Sequence, residues 1–215
     1  MWYAYLVMDD SFEPTLKPTF GEKIANFRES FGTILIVILA PTLAILISVF
    51  VFRVYQVDGP SMLTTLHDKD RLIIDKIPRT AARITGNPYV PHRYDVIVFN
   101  HSGYYGSLSK TNKQVIKRVI ALPGEKVQIK DGNVTVFNKK HPNGYLVDQD
   151  GPEANVIPIT TGDESIRTVG ENEVFVLGDN RVNSSDSREM GMIKSEDIVG
   201  KLVLRIYPFT SINVF

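Results

Sequence analysis

The sequence predicts a mainly β domain of several antiparallel sheets standing behind one N-terminal transmembrane helix. Three observations carry this expectation. Residues 31–52 hold no charged side chain over 22 positions. From Tyr55 onward, apolar residues come in short β-branched runs separated by turn residues. Outside the apolar run no helical periodicity stands out. With 215 residues the chain has room for one substantial core plus an anchor.

The apolar run comes first. As a helix it would extend about 33 Å, against roughly 30 Å of hydrocarbon in a bilayer. Pro41 sits near its middle, where a membrane helix tolerates proline if the freed carbonyl finds another donor. A cleaved leader would have a shorter apolar core and small residues beyond it, but Arg53-Val54-Tyr55-Gln56-Val57 follows instead. A buried core helix would be amphipathic, and this run is apolar all round. The expected domains are therefore a leader or interfacial segment over residues 1–30, a transmembrane helix over 31–53 and a β-rich domain over 54–215. Lys17, Lys23 and Arg28 precede the span while Arg53, Lys69 and Arg71 follow it, so positive charge does not choose an orientation.

Six strands in five regions are expected in the β domain, besides a strand over residues 114–125. Leu72-Ile73-Ile74 and Asp95-Val96-Ile97-Val98-Phe99 are compact β-branched stretches. Val127-Gln128-Ile129-Lys130 and Asn133-Val134-Thr135-Val136-Phe137 alternate on either side of Asp131-Gly132, a pair suited to a type I′ hairpin turn. Glu173-Val174-Phe175-Val176-Leu177 and residues 201–207 complete the set as the fourth and fifth strand regions after the hairpin is counted as one. Residues 138–170, rich in Asn, Gly, Pro and Asp, read as a long excursion between strands.

Composition excludes several classes of function. Acidic and basic residues balance at 24 each, so the basic footprint of a nucleic-acid binder is missing. Without cysteine there is no disulfide scaffold, thiolate metal site or cysteine nucleophile. His67, His92, His101 and His141 fall in no common ligand spacing, and no metal or other cofactor is expected.

Chemistry concentrates in three segments. Val57-Asp58-Gly59-Pro60-Ser61-Met62-Leu63-Thr64-Thr65-Leu66 places Ser61 in a turn just after the span, where its hydroxyl can be exposed beside backbone N–H groups; a plain linker turn has the same composition. Residues 114–125 read as a strand ended by Pro123-Gly124. On strand alternation Lys117 shares one face with Val115 and Val119, and Arg118 shares the other with Ile116 and Ile120. Arginine keeps its proton, so Lys117 is the better candidate for burial in neutral form and for a general base. A lysine snorkelling from a sheet edge fits the segment taken alone. Residues 177–191 follow a strand with acids, hydroxyls and two arginines. The i,i+2 spacing of Asp179/Arg181 and Asp186/Arg188 suggests structured ion pairs, although a solvated loop is equally polar.

In this order the apolar run, the Ser61-Met62 turn, the Lys117-Arg118-Val119…Leu122-Pro123-Gly124 strand and the Gly178-Asp179-Asn180-Arg181…Ser184-x-Asp186-Ser187-Arg188-x-x-Gly191 loop resemble the type I signal peptidases. Lys69-Asp70-Arg71-Leu72-Ile73-Ile74-Asp75-Lys76 also looks like the family's strand between its first two motifs. The resemblance implies an all-β signal-peptidase-like catalytic domain and a serine endopeptidase that removes N-terminal signal peptides from exported preproteins. It implies Ser61 as nucleophile and Lys117 as general base and later acid. Ser184 would orient the lysine, Asp186 and Arg188 would brace the site with Asp179 and Arg181, Met62 would lie by the substrate groove, and the Ser61 N–H would serve the oxyanion hole. It further implies substrates with small residues at −1 and −3, contact with the lipid bilayer, and a single-pass protein of the plasma membrane with its catalytic domain on the outer face. The chain departs from the family pattern at Thr64, where proline is usual, and at Gly59, where some members carry serine.

Two other classes share features with this pattern. Self-cleaving repressors of the DNA-damage response have a related β fold and a Ser/Lys pair, but they are soluble and carry a DNA-binding domain. A membrane-bound binding platform would have had no reason to keep Ser61, Lys117, Ser184 and Asp186 together. The sequence gives no evidence on oligomeric state.

Overall fold

The structure, a computed structural model, describes residues 20–103, 111–150 and 165–215. The chain divides into two compact units, residues 1–45 and 46–215. In the first unit the described residues belong to helix α1 (Phe20–Phe50), whose apolar side chains from Ile34 onward are exposed. Within it Gly32–Phe50 is long and apolar enough to cross a membrane. The expected span ran to Arg53, but the helix stops at Phe50 and a strand has begun by Phe52. The reason is local pairing: residues 52–56 find an antiparallel partner in residues 71–75, and Lys76 N–H donates to Val51 O.

The second unit is mainly β, as expected. Its strands are β1 (Phe52–Gln56), β2 (Arg71–Asp75), β3 (Val96–Gly103), β4 (Thr111–Ala121), β5 (Lys126–Lys130), β6 (Asn133–Phe137), β7 (Tyr145–Leu146), β8 (Ser165–Thr168), β9 (Glu173–Leu177), β10 (Ile193–Lys194), β11 (Ile198–Tyr207) and β12 (Asn213–Val214). One antiparallel sheet runs β1-β2-β11-β3-β4-β9-β10, with β12 on β11; a second runs β7-β6-β5-β8. The β5–β6 hairpin turns at Asp131 (φ 51°) and Gly132 (φ 77°), both left-handed as a type I′ turn requires. Val127, Ile129, Val134 and Val136 face its core while Lys126 and Lys130 face out.

Strands β3 and β9 are buried on both faces, and this sets the position of the site. Val96 and Val98 join a cluster with Leu66, Leu72 and Ile74, while Ile97 and Phe99 join Val174 and Val176. Phe175 and Leu177 turn the other way, into the cluster under the β5–β6 hairpin. Strand β4 lies between β3 and β9, so its polar side chains must be paired or neutral.

Three helical pieces were not expected: α2 (Ile77–Thr85), α3 (Val147–Asp150) and α4 (Ser187–Met190). Helix α2 buries no residue, although Ile77, Ala81 and Ile84 fall at i, i+4 and i+7 on one face opposite Arg79 and Arg83; at nine residues that stripe is too short to stand out. Its limits were nonetheless written in Pro78 at the first turn and Gly86 (φ 73°) at the end. The excursion over 138–170 contains β7, α3 and β8; its residues 151–164 lie outside the described residues.

Candidate active site

Ser61 sits in the loop between β1 and β2. That loop is pinned at its base, where Val57 N–H donates to Asp70 O at 2.9 Å and Lys69 N–H to Val57 O at 3.0 Å. Gly59 (φ 95°) makes the turn, in a region that disfavours side chains, and its N–H donates to Asp68 Oδ1. Met62 and Leu66 then plug the loop into the core. Asn180 holds the loop from the other side: its N–H donates to Ser61 O at 3.1 Å and its side-chain amide to Pro60 O at 3.2 Å.

Lys117 comes from the middle of β4, opposite Ile97 of β3. It is 3% exposed. Its Nζ donates to Ser61 Oγ at 2.7 Å and to its neighbour's carbonyl, Ile116 O, at 2.9 Å. No carboxylate lies within ion-pair distance of Nζ among the described residues. Burial therefore dominates and pushes the ammonium down from 10.5 to about 8; Asp186 and Asp179 act against this from a distance, and Lys113 adds to it. A group with that value is neutral in a sizeable fraction of molecules near neutral pH, which a free lysine is not. The arrangement can deprotonate a serine hydroxyl.

Strand alternation puts the two neighbouring cations on opposite faces and favours Lys117 for burial. Both are buried, since Arg118 is only 4% exposed. Arg118 stays charged by a two-pronged pair with Asp179, Nε to Oδ1 at 2.9 Å and Nη2 to Oδ2 at 2.7 Å. Thr65 Oγ1 completes that pair by donating to Asp179 Oδ2. Two adjacent lysine and arginine side chains thus meet opposite fates because only one has a carboxylate.

The polar loop after β9 is a network, but its partners differ from the expected ones. Asp186 and Arg188 do pair, at 2.8 Å, and Asp186 also accepts from Gly178 N–H and caps α4. Asp179 and Arg181 do not pair with each other. Asp179 reaches across to Arg118, while Arg181 binds Asp148 of α3 and donates to Gly178 O. The i,i+2 spacing held only where a tight turn brings the two side chains together.

Two further expectations change. Met62 is fully buried in the cluster with Leu66 and Ile74, so it supports the Ser61 loop from beneath and does not line a groove. Ser184 is buried beside the site, but its Oγ makes no hydrogen bond among the described residues, to Lys117 or to any other group. Two of the three donors of the lysine ammonium go to Ser61 and Ile116. Gly178 explains how closely these parts fit: a Cβ there would lie 2.4 Å from Ser61 O and 2.2 Å from Ser184 Oγ.

A cavity of about 380 Å³ opens at Ser61 and Lys117. Tyr55, Val57, Leu72, Val98 and Ile116 give it mostly apolar walls, and His101 reaches it as well. The supporting residues that sequence reasoning left out of the site are Asn180, Arg118, Thr65 and Asp148. Asn180, Arg118 and Thr65 stood inside recognised segments; Asp148 carried no signal, because only the fold brings it in. Among the described residues no group of His, Asp or Glu could hold a metal ion.

The chain is similar to known proteins over most of its length. The family model described as signal peptidase, peptidase S26, matches residues 30–207. A signal peptidase I of Bacillus licheniformis is 34% identical over 195 residues, covering 89% of this chain and 97% of the relative. Signal peptidase I T of Bacillus subtilis (strain 168) is 35% identical over 179 residues, 82% and 85% of the two chains. A signal peptidase I of Bacillus amyloliquefaciens is 34% identical over 204 residues, 94% and 96%. With a match over most of its length and relatives of nearly its own size, this chain belongs to the signal peptidase family, peptidase S26.

Proposed function

We propose that this chain is a membrane-anchored serine endopeptidase that removes signal peptides from exported preproteins, with Ser61 as nucleophile and Lys117 as general base. The observation that carries the reading is the 2.7 Å contact between Ser61 Oγ and a buried lysine that has no carboxylate partner among the described residues. Neutral Lys117 takes the hydroxyl proton as Ser61 Oγ attacks the scissile carbonyl. The Ser61 N–H serves the oxyanion. The same proton then passes to the departing amine, leaving an ester on Ser61. Lys117, neutral again, takes a proton from water, and the resulting attack frees Ser61 and the new carboxylate. The small apolar cavity suits small side chains at −1 and −3 of the preprotein. Asp186, Arg188, Asp179 and Arg181 act at one remove, holding the loop that presses on Ser61. Ser184 packs between that loop and the nucleophile and positions the pair. The catalytic unit stands on the outer face of the plasma membrane, at the bilayer surface.

The test is incubation of the detergent-solubilised chain with a preprotein carrying Ala at −1 and −3. Cleavage at that bond by wild type, and by neither Ser61→Ala nor Lys117→Ala, supports the assignment. Undiminished cleavage by either variant overturns it.

A further inference from the structure

A second cleft lies where α1 ends. It measures about 720 Å³ and is bounded by the last turn of α1 and by β1, β2 and β11. Its floor follows from register. Val54 pairs with Ile73, and Ile73 with Leu204. Leu72, Ile74 and Leu202 of the same strands are buried in the core, so this row faces the other way. Val54 is 57% exposed and Phe52 beside it 41% exposed. Apolar surface of this kind is uncommon in water unless something covers it.

The rim of the cleft is basic. Arg53 and Lys76 both line it. Lys76 is fixed in place because its ammonium donates to Val49 O and its N–H to Val51 O, closing the carbonyl end of α1. An ammonium has three donors, so two remain. Neither Arg53 nor Lys76 has a carboxylate within ion-pair distance among the described residues; the nearby Asp75 side chain accepts from Ile77 N–H. Burial first, and then the like charges of Arg53 and of Arg79 and Arg83 on α2, hold the Lys76 ammonium below its usual value. The stretch Gly32–Phe50 ends just before this rim, at the depth where a bilayer turns from hydrocarbon to headgroup.

We propose that this cleft is a binding site for one anionic phospholipid, with its phosphate on Arg53 and Lys76 and an acyl chain against Phe52, Val54, Ile73 and Leu204. The site goes beyond the peptidase reading and rests only on α1 being a membrane span. It is more specific than immersion of an apolar face, because it demands a particular headgroup charge at a particular place.

The test uses the full chain in neutral detergent with equal phosphatidylglycerol and phosphatidylcholine of matched acyl chains, and counts retained lipids by native mass spectrometry. Wild type should retain one phosphatidylglycerol in preference to phosphatidylcholine. Arg53→Gln with Lys76→Gln should reduce that preference about tenfold, and Val54→Gln should weaken retention with the cations intact. Because Lys76 also closes α1, Arg53→Gln alone serves as the second variant and should reduce the preference severalfold. Lys139→Gln with Lys140→Gln removes the same charge from an exposed turn and should change nothing. Equal retention of both lipids by wild type overturns the proposal. So does an equal loss in the Lys139/Lys140 variant, or displacement of the lipid by glycerol phosphate at comparable concentration. None of these readouts involves peptide cleavage, so they fail or succeed independently of the catalytic assignment.

Discussion

Lys117 and Arg118 are adjacent, equally buried and oppositely used. Arg118 is held charged by Asp179, while Lys117 meets only a hydroxyl and a carbonyl. The stability consequence has a definite sign. The folded value of Lys117, about 8, lies below the 10.5 of a free lysine, so between these values the unfolded chain binds more protons and stability rises with pH. Below about 8 the fold carries a buried, unpaired ammonium. Lys117→Met should therefore abolish cleavage yet raise the melting temperature at pH 7, by about 4 °C. The gain should shrink as pH climbs from 8 toward 10.5; thermal melts of both proteins across that range check it. Lys117→Arg should be inactive at every pH, since guanidinium does not give up its proton. Ser61, Lys117 and the paired Asp186/Arg188 were legible in sequence because each sat in an ordered motif. The Asp179–Arg118 and Arg181–Asp148 pairs were not, because strand spacing says nothing about partners 61 and 33 residues away.

At the scale of elements, the site is the meeting of the Ser61 loop, β4 and the loop after β9. Gly178 is where they touch. Gly178→Ala would drive a methyl into Ser61 O and Ser184 Oγ, and it should cut kcat/KM at least tenfold and cost about 1–3 kcal/mol. Asp179→Ala takes the carboxylate away from the buried Arg118 guanidinium, leaving its charge uncompensated beside Tyr94 O and Thr65 Oγ1, and should cost about 3–5 kcal/mol, visible as loss of folded protein at ordinary temperature. The turn from β4 into β5 depends on Glu125. Burial alone would raise this carboxyl, but hydrogen bonds from Arg93, Leu122 N–H and Asn138 outweigh it and hold the group below its usual range. A depressed carboxylate stabilises the fold above its unfolded value and loses that contribution as pH falls through the folded one. Glu125→Gln should thus lower the melting temperature at pH 7, with the deficit closing in acid. The β5–β6 hairpin was legible down to its two turn residues because the turn chemistry is local. Helix α2 went unread although Ile77, Ala81 and Ile84 recur at helical spacing, because three apolar positions over nine residues make a weak signal beside longer strand patterns.

For the whole molecule, one apolar helix and one mainly β unit were both evident from composition and pattern. The boundary between them shifted by three residues, because strand pairing of residues 52–56 with β2 claims the end of the apolar run. The unit over 46–215 contains all three buried clusters and every pair described around Ser61. A chain beginning at residue 46 should therefore keep the far-ultraviolet β signature and a cooperative melt in detergent. Its failure to fold would show that α1 does more than anchor.

The pH dependence of kcat/KM on a signal-peptide substrate between pH 6 and 10 tests most directly whether buried Lys117 activates Ser61. The rate should rise with pH along a single ascending limb with its midpoint near 8, as Lys117 loses its proton. An ascending limb that vanishes in His101→Ala would contradict it, since His101 opens onto the same cavity and would then be the base.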